Sequence, residues 1–237
     1  MSQRHACFFG TLVMILAFAT AGTSDVNTPL RSRTARDTKN KIQALLPAQF
    51  NSADDLAIGK LLVASRDLAD PNFAKTVILL VHYDSKGVLG VMLNRRTKIP
   101  LSRVLDQFKA AKDRSDPVYL GGPVETASVL ALFRSPAKVD GAEPILNDVY
   151  FIADKAVFEK VISVGPKPDA FHVYLGYAGW TSKQLRQEVA LGAWFIFPAD
   201  TRTVFDSDPN SLWRQMIQKT QLNLALAPVR NRLPSLH

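Results

Sequence analysis

Two histidines, His82 and His172, are the side chains best suited to acid-base chemistry in the part of this chain that the sequence predicts to fold. Each lies among apolar neighbours in a predicted strand, and neither has a second histidine four residues away or a nearby pair of carboxylates. Metal sites need several ligands at suitable spacing, so the sequence predicts no metal ion and no cofactor. A histidine in such a strand is more typical of a structural hydrogen-bond donor or cross-strand partner than of a ligand.

The nucleophiles that could accompany a histidine base are Ser65 and Ser128. Neither serine lies in a Gly-x-Ser-x-Gly elbow, and a triad is recognised by its geometry rather than by positions in the chain. The only cysteine, Cys7, lies in an apolar N-terminal stretch, so removal of that stretch would exclude thiol catalysis, disulfides and Cys-ligated zinc. The sequence therefore favours a non-enzymatic protein, with a hydrolase built on His82 or His172 as the alternative.

The first choice for a binding site is a pair of glycine-rich segments, Gly121-Gly122-Pro123 and Gly176-Tyr177-Ala178-Gly179-Trp180. Both are predicted to be turns or loops after a strand, where glycine lets the backbone pass close to another segment or to a ligand. The second segment leads into a predicted helix with Thr181 as its N-cap, and the free N–H groups of that helix could receive an anion. In the alternative interpretation, the glycines allow a tight crossing of the chain while Tyr177 and Trp180 pack on the sheet.

Further polar residues are candidates for contact with a ligand or partner. Asp70 and Asn72 belong to a turn sequence, in which such side chains usually bond to their own backbone. Asn94 and Arg95 directly follow a predicted strand. Arg95 also begins a basic cluster, which could bind phosphate or form a solvated rim. The other members of this cluster are Arg96, Lys98 and Arg103.

The stretch that positions these residues runs from Gly59 to Asn94 and has the pattern of a buried sheet. Apolar strands at 76–81 and 88–93 flank the turn Asp84-Ser85-Lys86-Gly87, which predicts a hairpin in which Gly87 takes a positive φ. Both strands are almost continuously apolar. This indicates burial on two faces, as in a sheet that is covered by helices or curled on itself.

Short strands and helices alternate in the rest of the folded region. Strands are predicted at 60–64, 118–120, 129–133, 149–153, 171–175 and 193–197. Helices are predicted at about 101–111, 155–161 and 182–191, and from the Asp208-Pro209 start to about 222.

The first 53 residues differ in composition from the folded region. Residues 1–21 have a basic start, a short apolar core and a small-residue end, which is the pattern of a secretory signal peptide cleaved after Ala21. An uncleaved membrane anchor is the alternative. Residues 22–53 are polar, contain a basic run from Arg31 to Lys41, and are predicted to form a disordered linker. The folded domain is predicted at 54–222 and a loose tail at 223–237.

Four motifs in order resemble those of the YqgE/AlgH family of bacterial proteins. They are ADPNF at 69–73, VLGVMLNR at 88–95, VYLGGPV at 118–124 and LGYAGW at 175–180. The resemblance covers roughly residues 56–221 and implies a single α+β domain of coiled, partly barrel-like, mostly antiparallel β-sheet with flanking helices. It implies no enzymatic reaction, since none is established for the family, in which AlgH has been regarded as a regulator of transcription.

These observations predict a binding or regulatory module that engages an unknown protein or small ligand in a groove around 121–123 and 176–180. A cleaved signal peptide would place the module in the periplasm or outside the cell, with transient membrane contact through the N-terminal segment. Export would exclude direct contact with nucleic acid. An inner-membrane anchor, or a cytoplasmic regulator of transcription, are the alternatives.

Overall fold

A ten-stranded, mostly antiparallel sheet curls into a half-barrel with helices around it. The computed structural model describes residues 52–226, with side chains as far as residue 220. The predicted signal peptide at 1–21, nearly all of the predicted linker and the tail from 227 onward lie outside the described residues. The predicted fold class, a single α+β domain of coiled, partly barrel-like sheet with flanking helices, is confirmed.

The described residues form ten strands and five α-helices in the following order. The strands are β1 (Lys60–Ala64), β2 (Val77–Tyr83), β3 (Val88–Met92), β4 (Arg96–Pro100), β5 (Pro117–Leu120), β6 (Val124–Arg134), β7 (Glu143–Leu146), β8 (Val149–Ile152), β9 (Phe171–Trp180) and β10 (Trp194–Pro198). The helices are α1 (Leu101–Val104), α2 (Lys155–Ser163), α3 (Ser182–Ala190), α4 (Thr201–Phe205) and α5 (Pro209–Leu226). The sequence did not predict β4, β7 or α4.

Strand β9 is the centre of the sheet, whose order is β10-β1-β2-β3-β9-β6-β8-β7. One edge of β9 pairs antiparallel with β6. The other edge pairs antiparallel with β3 at 178–180 and parallel with β5 at 174–175. Strand β4 pairs with β5 and extends that ribbon away from β9. A single strand thus joins the two halves of the half-barrel.

The sheet is buried on two faces, as the apolar strands predict. Leu61 and Val63 of β1 belong to one core cluster, while Leu62 and Ala64 belong to another on the opposite face. A third cluster packs α1 and α2 against β5, β6, β8 and β9. Helix α5 begins after Asp208, as predicted, and contributes Leu212, Met216 and Ile217 to the core.

The predicted hairpin of β2 and β3 is confirmed, but its turn is closed in another way. Gly87 does not take the predicted positive φ; the glycines that do are elsewhere in the chain. Instead, the side chain of Asp84 accepts hydrogen bonds from the backbone N–H groups of Lys86 and Gly87, at 2.7 and 2.9 Å. An Asx-type turn of this kind closes the loop without a left-handed residue.

The predicted helix at 101–111 is wrong in its middle. Helix α1 ends at Val104, and a separate turn of 3₁₀ helix follows at Lys109–Ala111. The N–H groups of Leu101 and Ser102 are bonded to the carbonyls of Asp116 and Arg114, so the segment is folded against the approach to β5. Its apolar side chains still face the third cluster, which explains the helical spacing.

The predicted loop at Gly176–Trp180 is also wrong, because β9 continues through it to Trp180. Up to Leu175, odd-numbered residues of β9 face the third cluster and Tyr174 faces the first. Gly176 has a φ of +67°, and after it Tyr177 packs against the first cluster while Ala178 and Trp180 face the second. The change of face interrupts the alternation from which strands are predicted.

Candidate functional site

The two glycine-rich segments meet where the chain crosses β9. Strand β5 lies on one edge of β9 and β6 on the other, so the link Gly121-Gly122-Pro123 passes across β9 at Gly176 and Tyr177. Gly121 N–H donates to Leu175 O at 2.8 Å, and Gly121 O accepts from Met92 N–H at 2.9 Å. We call this place, formed by Gly121, Gly122, Gly176 and Tyr177, the glycine crossing.

No side chain would fit between the two backbones at the glycine crossing. A Cβ on Gly121 would lie 2.1 Å from Gly176 O, and one on Gly122 would lie 2.1 Å from the Tyr177 carbonyl carbon. A Cβ on Gly176 would lie 2.7 Å from both Gly122 O and Val124 O. The glycines therefore serve close backbone contact, and the crossing has no room for a ligand between its strands.

The loop that carries Asp70 and Asn72 is held by Asn94 and Arg95. Asn94 accepts from Val77 N–H and donates to Lys75 O, both at 2.9 Å, while Arg95 Nη2 donates to Ala74 O at 2.8 Å. The backbone carbonyl of Arg95 also accepts from Leu120 N–H, which connects this loop to the glycine crossing. The structure thus brings the candidates at 70–75, 94–95 and 121–123 together.

Within that loop, the polar side chains act locally. Asp70 accepts from Asn72 N–H at 2.8 Å, the self-bonded turn that the sequence predicts, while Asn72 itself is exposed. The guanidinium of Arg66 lies 5.9 Å from the centre of the Trp213 ring.

Trp180 lies inside the protein rather than at its surface. Its ring is stacked on Phe73 at 5.6 Å and is only 5% exposed. The indole N–H groups of Trp180 and Trp194 both donate to one carboxylate oxygen of Glu188, at 3.1 and 2.8 Å. These contacts tie the end of β9 to the loop at 70–75 and to α3. Gly179, beside it, pairs with Leu89 of β3.

The exposed part of this region is a strip of apolar side chains on β5, β9 and β6. Leu120 is paired with Leu175, and Leu175 with Val129, so the three side chains share one face of the sheet. Leu120 is 49% exposed, and the other two are half-buried. We call Leu120, Leu175 and Val129 the apolar strip. Pro123 and a bulge of β6 at 125–128, which are mostly exposed, border it.

His82 and the candidate serines do not assemble a catalytic triad. His82 Nε2 lies 3.2 Å from Asp84 Oδ2 on the surface. The hydroxyl of Ser128 donates to Glu125, and Ser65 is buried beside Ala193. Among the described residues, neither serine is hydrogen-bonded to a histidine. His82 and Asp84 therefore form an exposed polar contact, a type of contact that contributes little to stability.

His172 has a different environment, which the sequence did not reveal. Its ring stacks on Tyr119 of β5 at 4.9 Å and contacts Phe205 of α4 at 4.9 Å. Tyr174, two residues along β9, is fully buried, with its ring 5.4 Å from that of Tyr119. Within the described residues, neither His172 Nδ1 nor the Tyr174 hydroxyl has a hydrogen-bond partner, although both atoms are buried. We call these two residues the His172–Tyr174 pair.

Burial keeps both members of this pair neutral. It lowers the pKa of His172 from 6.5 to about 4, with a smaller lowering from Arg96, while Asp116, Asp169 and Asp206 act in the opposite direction. Burial also raises the pKa of Tyr174 well above its usual value. At neutral pH the pair therefore offers an uncharged imidazole and a phenol.

The pair could be located only in part from the sequence. An alternating strand at 171–175 places His172 and Tyr174 on one face, which is the signal that the sequence contains. Tyr119 and Phe205 reach that face through a parallel pairing and a helix that come from distant parts of the chain. No local pattern predicts these contacts.

Other polar groups offer little for chemistry. In residues 52–226, no group of three or more His, Cys, Asp or Glu side chains is placed to hold a metal ion, and no helix is long and apolar enough to cross a membrane. Of the predicted basic cluster, Arg95 is bonded to Ala74, while Arg96, Lys98 and Arg103 are exposed. A surface cavity of about 670 Å³ beside β7 contains Asp148, which already accepts from Thr201 and Arg134.

Comparison with known proteins identifies a matching family and several relatives. A family model described as AlgH-like (DUF179) matches residues 61–225, a range that contains the glycine crossing, the loop at 70–75 and the His172–Tyr174 pair. A UPF0301 protein of Chlorobium luteolum is 31% identical over 189 residues, which cover 79% of this chain and 98% of that protein. A UPF0301 protein of Streptomyces avermitilis is 34% identical over 182 residues, covering 76% and 94%.

Two solved structures are similar in fold. The solution structure of the AlgH protein from Pseudomonas aeruginosa has a TM-score of 0.56 and 29% identity, covering 72% of this chain and 93% of that one. The crystal structure of a protein from Corynebacterium diphtheriae has a TM-score of 0.60 at 24% identity, covering 73% and 91%. At that lower identity the likeness concerns the fold alone.

Proposed function

The chain belongs to the AlgH-like family, a family of unknown function, and we propose that it is a non-enzymatic binding module that captures a partner protein on the apolar strip. The strip consists of Leu120, Leu175 and Val129, directly beside the glycine crossing. The exported form of the protein, in which residues 1–21 act as a signal peptide, is part of this proposal.

Leu120 is the observation that carries the proposal. Only a few large apolar side chains of the described residues are strongly exposed, and Leu120 is the one that continues into a row of apolar neighbours on paired strands. Its backbone is fixed on one side by Arg95 and on the other by the glycine crossing. A rigid backbone that presents apolar surface to solvent loses little entropy on binding, which favours a recognition surface.

The surface is tested by site-specific photo-crosslinking in the native host. A photoreactive amino acid at position 120 should give a discrete crosslinked species, since that side chain would lie in the contact. The same substitution at Leu191, which is 83% exposed and lies at the end of α3, is the matched control. The same adducts at both positions, or none at position 120, would refute capture on the strip.

Localisation is tested on the unmodified protein. Cell fractionation, with the N-terminal residue and mass of the purified species, should yield a periplasmic or secreted protein that begins at Gly22. A cytoplasmic protein that retains Met1 would contradict export and would favour the regulator of transcription. That alternative requires DNA binding that weakens as salt is raised.

One observation favours a second candidate, a hydrolase-like enzyme. His172 Nδ1 has no hydrogen-bond partner among the described residues, which leaves it available to a substrate group. A screen of ester, phosphate and peptide substrates should then show an activity that is lost in His172→Ala and retained in His82→Ala. Inactivity across the screen would leave the binding module as the better explanation.

A further inference from the structure

Two buried polar atoms on β9 have no protein partner among the described residues, which is rare in a folded protein. They are Nδ1 of His172 and the hydroxyl oxygen of Tyr174. An unsatisfied buried polar group costs free energy, so native structures usually supply a partner, either from the protein or from a bound molecule. Both side chains contact the ring of Tyr119, which suggests a common partner.

The geometry places the two side chains side by side. His172 and Tyr174 are two residues apart on β9 and therefore project from the same face of the sheet. Tyr119, which is paired with Tyr174, contacts both rings, at 4.9 Å from His172 and 5.4 Å from Tyr174. Phe205 of α4 also contacts the His172 ring, at 4.9 Å. The rings of the pair are thus packed among aromatic side chains.

The surroundings restrict what could bind there. Leu130 and Leu132 of β6, which pair with Tyr174 and His172, add apolar walls on the same face. Asp116, one of the carboxylates whose charge acts on His172, is held by Arg114 in a two-point ion pair with atoms 2.8 Å apart. A charged molecule would lose its hydration among these aromatic and leucine side chains, which favours a neutral one.

We propose that His172 Nδ1 and the Tyr174 hydroxyl together bind one small, neutral, hydroxylic molecule, of which water is the smallest member. The phenol can donate and accept, and the imidazole nitrogen can do either according to its tautomer, so a hydroxyl group can bond to both at once. The low pKa of His172 and the high pKa of Tyr174 agree with an uncharged site. This site shares no residue with the apolar strip and does not depend on the proposed function.

The sign of a stability change tests the site. Tyr174→Phe keeps the ring and removes only the hydroxyl. If the hydroxyl is hydrogen-bonded to the proposed bound molecule, the folding equilibrium constant at pH 7.5 should fall about fivefold, because that molecule loses a hydrogen-bond partner. If the hydroxyl has no hydrogen-bond partner, the same substitution should leave the folding equilibrium constant unchanged or raise it. This result would overturn the proposal.

The matched control is Tyr150→Phe, on β8 of the same sheet. Tyr150 is 8% exposed and pairs with Phe133 of β6, the strand that also pairs with β9. It controls for the general effect of changing a phenol to a phenyl group. A fall of the same size in both variants would remove the evidence for a special site at Tyr174.

A double-mutant cycle tests whether a single guest bridges the two atoms. Removal of either polar group should weaken the binding of the same molecule. Adding His172→Phe to a Tyr174→Phe protein should therefore lower the free energy of unfolding much less than His172→Phe does alone. If the two losses in the free energy of unfolding simply add, the two groups act independently, and the proposal of one shared bound molecule would be refuted.

The guest is identified in solution. A magnetisation-transfer cross-peak between water and the His172 ring, absent in the double variant, would identify water. A stoichiometric small neutral compound released on denaturation, and detected by mass spectrometry, would identify a larger member of the class. The absence of both, with folded protein, would refute the proposal.

Discussion

The glycine crossing and the His172–Tyr174 pair share strand β9, yet they use their polar groups in opposite ways. At the crossing and the loop beside it, Asp70, Asn94 and Arg95 bond to nearby backbone groups. At the pair, two buried polar atoms have no described partner. The motifs that identify the family therefore build the fold around β9, whereas the pair has hydrogen-bonding capacity that the fold does not use.

The largest effect is expected where two backbones touch. Gly122→Ala places a Cβ 2.1 Å from a backbone carbon of Tyr177, which cannot move aside as a side chain could. We expect a loss of more than about 4 kcal/mol in the free energy of unfolding, measured by urea denaturation. The control is Gly165→Ala, where no atom lies within 4 Å but φ is +66°; backbone strain alone should cost about 1 kcal/mol. Equal costs at both positions would contradict the crossing as a structural constraint.

The next effect concerns the packing of the motif region. Trp180→Ala removes a 5%-exposed ring that is stacked on Phe73, and it deprives Glu188 of one indole donor. We expect a destabilisation of about 3–5 kcal/mol by thermal or chemical unfolding. Leu191→Ala, at an exposed position, should be near neutral. If the Trp180→Ala protein has normal stability, Trp180 is not needed for packing and becomes a candidate for binding a partner.

The third effect is a loss of stability at acidic pH that arises from the His172–Tyr174 pair. Folded His172 has a pKa of about 4 whereas the unfolded chain titrates near 6.5, so the unfolded state binds more protons between these values. Stability is therefore full above pH 6.5 and falls as pH decreases towards 4, by about 3 kcal/mol from this group. His172→Phe should remove that part of the pH dependence.

His82→Phe is the control for the acid effect, because His82 is a half-exposed strand histidine paired with Asp84. The free energy of unfolding of this variant should still fall between pH 6.5 and 4, because the buried His172 is retained. The observation that would count against the assignment is a pH dependence that changes with His82 and not with His172.

Some elements could be predicted from the sequence because their determinants are local. The β2–β3 hairpin is an example, since two apolar strands are joined by a four-residue turn that Asp84 closes. The starts of α2 and α3 are others, since Asp154 and Thr181 accept hydrogen bonds from Val157 and Gln184 as N-caps do. In each case one or two neighbouring residues decide the conformation.

Other elements could not be predicted because their partners come from far away. The segment Gly176–Trp180 looks like a loop, but β3 and β6 hold it in the sheet through Gly179 and Tyr177. The pair at His172 and Tyr174 depends in the same way on Tyr119 and Phe205. For the candidate site, the sequence located the motif residues that meet at the crossing, but not the side chains around His172.

The late position of β9 in the chain has a consequence for how the protein acquires its fold. Val88 of β3 must find Trp180 of β9, and Lys60 of β1 must find Pro198 of β10. The outer edges of β1 and β3 therefore stay unpaired until most of the domain has been synthesised. Such long-range pairings slow folding, and unpaired edges are templates for aggregation. We therefore expect the newly made chain to be more prone to aggregation than a protein made of local hairpins.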